Sequence, residues 1–368
     1  MHKLWIKRCE MYIIKIYLKN FRNYGEQEIF LERGINIFFG DNAQGKTNII
    51  ESIFLSSYGK SFRSSKDKDL IRFGEEHATV KIDFEKKDRN GNIKVEIGEK
   101  KNFFINGVKQ TRVSNIVGKI NIIIFSPDDI EIIKDGPQRR RKFLDMMISS
   151  LKPNYLHLLN DYNRVLDQRN TYLKQITKDG KNESLLDILD EQLADLSIKI
   201  FEYRNKYLEK FSSIIKEKHD IITKNEKSQE EIKIKYISNA HDKEGYLSNL
   251  KKSRKVDLIR GYTSSGVHRD DFIVYIDKKI VSIFGSQGQQ RTATLTLKLC
   301  ELKIVKEEIG ESPILLLDDF MSELDENRRK NFLENLEDNQ VIITCTDMIE
   351  IQKENSKTFH VKNGKIIV

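Results

Sequence analysis

Cysteine is scarce in this chain: its three cysteines, Cys9, Cys300 and Cys345, have no spacing that suits a metal. Isolated thiols of this kind point to a reduced, intracellular setting and not to a disulfide framework. No apolar run approaches the roughly 18 residues that a membrane span needs, so no membrane partner is expected. The first ten residues, MHKLWIKRCE, lack the apolar stretch of a secretory signal. Because Met11 opens a strand-like run, residues 1–10 read either as an upstream extension or as part of the native chain. Nor is negative charge in excess: 64 basic against 56 acidic residues leave a net +8 and a pI near 9.0. That balance suits a polyanionic partner such as nucleic acid, and equally a solvated lysine-rich surface. With 38% hydrophobic and 33% charged residues, the composition is globular and soluble. The length allows about two or three compact units.

What is present is organised around residues 40–47, GDNAQGKT, which match the pattern G-x-x-x-x-G-K-[ST] at every fixed position. The apolar run 34–39 predicts a buried strand before this loop, and the spacing of apolar residues over 48–55 predicts a helix after it. Backbone N–H groups of Gly40, Asp41, Asn42, Ala43, Gln44 and Gly45 would then surround an anion together with the helix N-terminus. Lys46 would reach the β- and γ-phosphates of ATP, and Thr47 would place its hydroxyl on Mg²⁺.

Further strands are expected at 12–18, 27–31, 78–84, 93–97, 102–105 and 120–125, with Asn90-Gly91 and Asn106-Gly107 as hairpin turns. The basic loop 59–65, GKSFRSS, is a candidate contact for nucleotide or DNA phosphate, or a solvated connector. Residues 11–127 thus read as one α/β lobe with an antiparallel addition. From 128 to 260 the pattern is mainly helical. Gly136-Pro137 opens a helix, and Gln138 to Lys142 (QRRRK) load its first turns with cations. That placement opposes the helix dipole, so either an anionic partner or ion pairs with Asp128, Asp129, Glu131 or Asp135 are expected. Long helices follow over 155–176 and 185–222, broken at 179–182. Leu185, Leu189, Leu193, Leu196 and Ile200 form a seam that reads as internal packing. A strand at 232–237 and a helix over 247–260 complete this stretch.

From 261 to 368 the α/β pattern resumes. The polar stretch 264–271, SSGVHRDD, reads first as an ion-paired turn and second as a metal or phosphate site. Strands are expected at 272–276 and 280–284. Residues 285–291, GSQGQQR, open a helix running to about 308, with Ser286 and Gly288 making a second anion site at its N-terminus. Residues 314–319, ILLLDD, form an apolar strand ending in two acids. Asp318 would hold Mg²⁺, and Asp319 would polarise the attacking water. SELD at 322–325, a helix from 326, a strand at 341–345 and a hairpin over 358–368 turning at Asn363-Gly364 close the chain.

In this order, GDNAQGKT, GSQGQQR, ILLLDD and SELD resemble the ABC-type ATPases. LKNFRNY (18–24), GKSFRSS (59–65), FSPDD (125–129), GPQRRRKFLD (136–145), QRN (168–170) and GVHRDD (266–271) narrow the resemblance. They closely resemble the RecF family of bacterial recombination mediators, related to the chromosome-maintenance ATPases. The resemblance covers nearly the whole chain from Met11. It implies an α/β, ABC-type P-loop ATPase head, a mixed sheet with an antiparallel addition, and an inserted α-helical arm. Helices of these lengths reach about 60 Å or less at roughly 1.5 Å per residue, which suits a short arm.

The resemblance further implies that ATP is sandwiched between two protomers, with Ser286, Gly288 and Gln289 touching the γ-phosphate in trans. ATP would then drive a homodimer, and weak Mg-dependent hydrolysis would time it. Lys46, Asp318, Asp319 and Ser286 would carry that hydrolysis. Such proteins are implied to be cytoplasmic and nucleoid-associated, to bind duplex DNA near single-strand gaps, and with RecO and RecR to help load RecA. Repair, replication restart and the SOS response are the setting. The sequence also departs from its wider class. Asp319 stands where transporter-type ATPases have glutamate, one methylene longer, so slow turnover is expected. No histidine is offered at 344–346, TCT, where those enzymes have a switch histidine, and Val267 stands where a proline is expected. The rival readings are a nucleotide-gated scaffold with negligible hydrolysis and another ABC-type ATPase subunit.

Overall fold

The computed structural model describes residues 11–87, 89–179, 183–224, 230–320, 332, 339–347 and 356–367. In chain order the elements begin with β1 (Met11–Phe21), β2 (Tyr24–Phe30), β3 (Ile35–Phe39), α1 (Lys46–Tyr58), β4 (Ala78–Lys86), β5 (Arg89–Ile97), β6 (Asn102–Ile105), β7 (Val108–Gln110) and β8 (Ile122–Phe125). Then come α2 (Glu131–Lys134), α3 (Pro137–Leu151), α4 (Pro153–Asp179), α5 (Ser184–Ile222), β9 (Ile232–Ile237), α6 (Lys243–Arg260), β10 (Asp271–Ile276), β11 (Lys279–Ile280), α7 (Val281–Phe284) and α8 (Gln287–Ile309). The last are β12 (Ile314–Asp318), β13 (Val341–Cys345), β14 (Ser356–Lys362) and β15 (Lys365–Ile367).

The chain divides into two compact units. Unit 1 takes the described residues of 11–129, 221–224 and 301–367, and unit 2 those of 130–220 and 230–300. Residues 261–300, which the motifs group with the head, fall in unit 2.

Unit 1 contains two six-stranded sheets. One has the order β15-β14-β3-β13-β12-β8, parallel from β14 to β8, with β15 antiparallel at its edge. Its inner strands, INIFF, VIITC and ILLLD, are near-continuous apolar runs, as strands covered on both faces require. The other sheet is antiparallel, β2-β1-β4-β5-β6-β7, and its β4 alternates buried with half-buried residues. Helix α1 contacts strands of both sheets. All but two of its residues are therefore buried, the polar Glu51, Ser52, Ser56 and Ser57 among them.

Asn90-Gly91 is not a turn: Lys86 pairs with Arg89, and Asn90 and Gly91 are strand residues opposite Glu85 and Phe84. The Phe84 ring lies over Gly91, where a Cβ would come within 2.6 Å of Phe84 Cζ. The glycine thus makes room for a cross-strand aromatic. Asn106-Gly107 does turn, with φ of 49° and 80° between β6 and β7. Residues 280–284 do not form the expected strand. Only Lys279–Ile280 pairs with β10, and Val281–Phe284 forms one helical turn. A four-residue apolar run fits either conformation, and here Val281 is buried while Ile283 and Phe284 are exposed.

Unit 2 combines α3 to α6 with the antiparallel sheet β11-β10-β9. The seam of α5 is rotated from its expected line: Leu185 is exposed, Leu186 replaces it, and Leu189, Leu193 and Ile200 are buried. Buried ion pairs cross-link the helices. Arg169 of α4, fully buried, donates to Asp190 of α5 at 2.6 Å, and to Asp257 of α6 and Thr263 at 2.9 Å. Arg204 of α5 donates to Asp145 of α3 at 2.9 Å, to the Val267 carbonyl at 2.6 Å and to Asp270 at 3.2 Å. Removing one member of such a pair costs about 3–5 kcal/mol, because its partner charge is left buried. Among the described residues no helix is long and apolar enough to cross a membrane.

Candidate nucleotide site and signature loop

The phosphate loop joins β3 to α1. Asp41, Asn42 and Ala43 are exposed, and Ala43 has φ 64°. Gly45 caps α1 with φ 117°, and a Cβ there would lie 2.6 Å from Asn23 Nδ2, so both backbone and space require glycine. The loop is held from outside. Asn23 Nδ2 donates to the Gln44 carbonyl at 2.8 Å, and Asn23 Oδ1 accepts from Asn48 Nδ2 at 2.8 Å. The Tyr24 hydroxyl donates to the Gly45 carbonyl at 3.1 Å. From the β14–β15 turn, the Gly364 N–H donates to the Gln44 carbonyl at 3.0 Å and the Asn363 N–H to Gln44 Oε1 at 2.7 Å. Lys46, 4% exposed, donates to the carbonyls of Gly40 at 2.6 Å and Asp41 at 2.9 Å. That leaves one ammonium proton for a phosphate oxygen.

Thr47 Oγ1 donates to Asp318 Oδ1 at 2.9 Å, although the two residues are 271 positions apart. The Thr344 hydroxyl donates to the same oxygen at 2.9 Å and accepts the Asp319 N–H at 2.9 Å. Burial pushes the Asp318 carboxyl above its ordinary range, opposed by these two hydroxyl donors and reinforced by the charge of Asp319. A hydroxyl and a carboxylate oxygen this close are hard donors that fit Mg²⁺. Asp319 sits at the strand end with φ 47°.

The basic loop 59–65 is anchored on α1. Glu51, fully buried, accepts from Arg22 at 2.7 and 2.8 Å and from Ser61 Oγ at 2.5 Å. Arg63 donates to Asn48 Oδ1 at 3.0 Å, which brings one of the loop's two cations beside the start of α1. Asn23, Glu51 and Thr344 were not singled out for these roles in the sequence. Asn23 and Glu51 lie inside or next to recognised motifs, and that proximity was the available signal.

Ser286, Gly288 and Gln289 lie in unit 2. Ser286 and Gln289 form a reciprocal capping box at the start of α8. The Ser286 N–H donates to Gln289 Oε1 at 2.9 Å, and the Gln289 N–H to Ser286 Oγ at 3.2 Å. Ser286 is exposed and Gly288 half-buried. SELD at 322–325 lies outside the described residues.

The polar turn at 264–271 is an internal tie. His268 Nδ1 accepts from the Tyr162 hydroxyl at 2.6 Å, and its Nε2–H donates to the Thr263 carbonyl at 3.0 Å. Burial pushes the imidazole down to about 4, so it is neutral at physiological pH. Arg140 grips Asp271 with two bonds of 2.6 and 2.9 Å, and Arg139 pairs with Glu131 at 2.5 Å. These bonds account for Arg139 and Arg140, two of the four cations opening α3, and Arg141 donates to the Asp270 carbonyl at 2.6 Å. Among the described residues no group of three or more potential ligands from His, Cys, Asp and Glu could hold a metal ion.

A phosphate loop after β3 and a paired-acid strand, β12, two places across the same sheet define an ABC-type ATPase head, a fold shared with the Smc head. The RecF/RecN/SMC N terminal domain family matches residues 12–367. The DNA replication and repair protein RecF of Clostridium botulinum (strain ATCC 19397 / Type A) is 45% identical over 366 residues, 97% of this chain and 99% of that protein. Its counterpart in Clostridium perfringens (strain SM101 / Type A) is 43% identical over 365 residues, with the same coverage. A structure of the recombination mediator protein RecF with ATP, from the RecFOR pathway, matches with a TM-score of 0.92 at 39% identity. That match covers 100% of this chain and 99% of the other. The Smc head of Pyrococcus furiosus shares the fold, with a TM-score of 0.56 at 18% identity over 97% of this chain and 96% of that one. The chain belongs to the RecF family.

Proposed function

We propose that this chain is an ATP-driven DNA-binding protein of recombinational repair and replication restart. The carrying observation is the meeting of Thr47 and Asp318 at 2.9 Å beside a phosphate loop whose lysine is buried and oriented by loop carbonyls. Lys46 would bind the β- and γ-phosphates, and Thr47 and Asp318 would hold Mg²⁺, which neutralises phosphate charge when bound. Asp319 would orient the attacking water. Ser286, with Gly288 and Gln289, would complete the site of a second protomer, so ATP closes a homodimer and slow hydrolysis opens it. The relatives' names support DNA replication and repair as the setting, and the RecFOR pathway named for the ATP-bound relative supports partners like RecO and RecR. With them the dimer would act at single-strand gaps in the cytoplasm and help load RecA.

Sedimentation velocity with and without Mg-ATP and gapped duplex DNA tests this reading. The wild type is expected to shift from monomer to dimer with ATP, and further with DNA. Lys46→Ala should stay monomeric, and Ser286→Arg should bind ATP yet neither dimerise nor hydrolyse. A wild-type monomer under all four conditions, or ATP-dependent dimers of Lys46→Ala, would sink it.

A further inference from the structure

The signature serine is backed by a chain of side chains that runs to the longest helix of unit 2. His219, fully buried near the C-terminal end of α5, has Nε2 3.2 Å from Glu230 Oε2 and Nδ1 3.1 Å from Thr296 Oγ1 of α8. Glu230 Oε1 accepts from Gln289 Nε2 at 2.7 Å. Gln289 Oε1 accepts the Ser286 N–H, and Ser286 Oγ accepts the Gln289 N–H.

We infer that Glu230, backed by His219, is a positioning residue for the signature loop and couples it to α5. The inference rests on the trans reading of Ser286. An ionised carboxylate only accepts hydrogen bonds, so Glu230 distinguishes the two ends of the Gln289 amide. It draws Nε2 toward itself and leaves Oε1 for the Ser286 N–H, which is the orientation the capping box needs. His219 in turn donates Nε2–H to the other oxygen of Glu230 and ties the carboxylate to a packed helix. With the Gln289 N–H occupying a lone pair of Ser286 Oγ, the serine keeps its own proton for an incoming acceptor, a phosphate oxygen in the trans reading. The coupling works in both directions: whatever shifts the end of α5 alters Ser286, and engagement of Ser286 stiffens α5.

The test compares Glu230→Ala and Glu230→Gln with the wild type. Glutamine can still accept from Gln289 but turns an NH2 group toward His219, so it should rescue in part, between alanine and the wild type. In the absence of nucleotide, Glu230→Ala is expected to speed amide exchange at the start of α8 about tenfold, the scale of a lost cap. Its monomer should bind Mg-ATP with a Kd within about twofold of wild type, while ATP-driven dimerisation weakens about tenfold. Should Glu230→Ala fail to fold, Glu230→Met keeps the stem and carries the same expectations. Wild-type exchange and wild-type dimerisation in the alanine or methionine variant would overturn the inference, as would a glutamine variant as weak as alanine. The reading beneath it fails differently. If Ser286→Arg dimerises normally, the trans role falls, whereas the exchange measurement needs neither ATP nor a dimer.

Discussion

At the scale of single residues, Thr344 does the work of joining two acids with one hydroxyl. It accepts the Asp319 N–H and donates to Asp318 Oδ1, each at 2.9 Å. Asp319 has φ 47°, a left-handed conformation that costs a non-glycine residue about 1–2 kcal/mol, and the bond to Thr344 helps to hold it there. Thr344→Val keeps the shape but leaves a backbone donor without that acceptor, at a cost of about 1–3 kcal/mol. Single-turnover hydrolysis is expected to fall about tenfold or more while the nucleotide Kd changes little, and Thr344→Ser should restore the rate. A valine variant that turns over like wild type would show that Asp319 is placed by something else. Thr344 marks the limit of residue-level reading. The loop lysine and threonine and the strand-end aspartate were legible because their chemistry fixes their spacing within a motif. Thr344 was legible only as a strand end without histidine, since a threonine does not declare which oxygen it will meet across two strands.

At the scale of elements, the closing hairpin props the phosphate loop. The β14–β15 turn, with Asn363 at φ 49° and Gly364 at φ 67°, donates two N–H groups to Gln44. A Cβ on Gly364 would collide with the carbonyl of Asn23, whose side chain donates to the same Gln44 carbonyl. Gly364→Ala is therefore expected to displace the turn and weaken Mg-ATP binding about tenfold, roughly the worth of one or two such bonds. Titration with a fluorescent ATP analogue reads this directly. An unchanged Kd would mean that the loop holds its shape without the hairpin. The hairpin was legible from its Asn-Gly pair, but its docking on Gln44 was not, because the contact joins residues more than 300 apart. Elsewhere the same dipeptide misled. Asn90-Gly91 carries the turn signature, yet the two residues pair along β5 because an aromatic ring from β4 claims the space over the glycine. Strand existence followed from apolar runs, whereas the conformation of 281–284 did not, since four residues carry no decisive period.

At the scale of the whole molecule, strand order is what the chain hides. β3 lies between β13 and β14, and β8 at the edge pairs with β12, so the parallel sheet is assembled from segments hundreds of residues apart. The resemblance to ABC-type ATPases implied a mixed-sheet head interrupted by a helical arm, but no strand order. Net charge is the other property of the whole chain. An excess of +8 per chain does not choose a partner, but it sets how binding responds to salt if that partner is DNA. Each phosphate neutralised adds about −0.9 to the slope of log K against log salt on duplex DNA. If ATP closes two chains on one duplex, the phosphates contacted roughly double, so the slope with Mg-ATP should be about twice that of Lys46→Ala under the same conditions. The variant removes one cation from each chain in a buried position, too little to produce such a change by charge alone. Fluorescence anisotropy on a gapped duplex over a series of salt concentrations measures both slopes. Equal slopes, with affinities that differ only by a constant factor, would mean that ATP alters how tightly one chain holds DNA without bringing a second chain onto it.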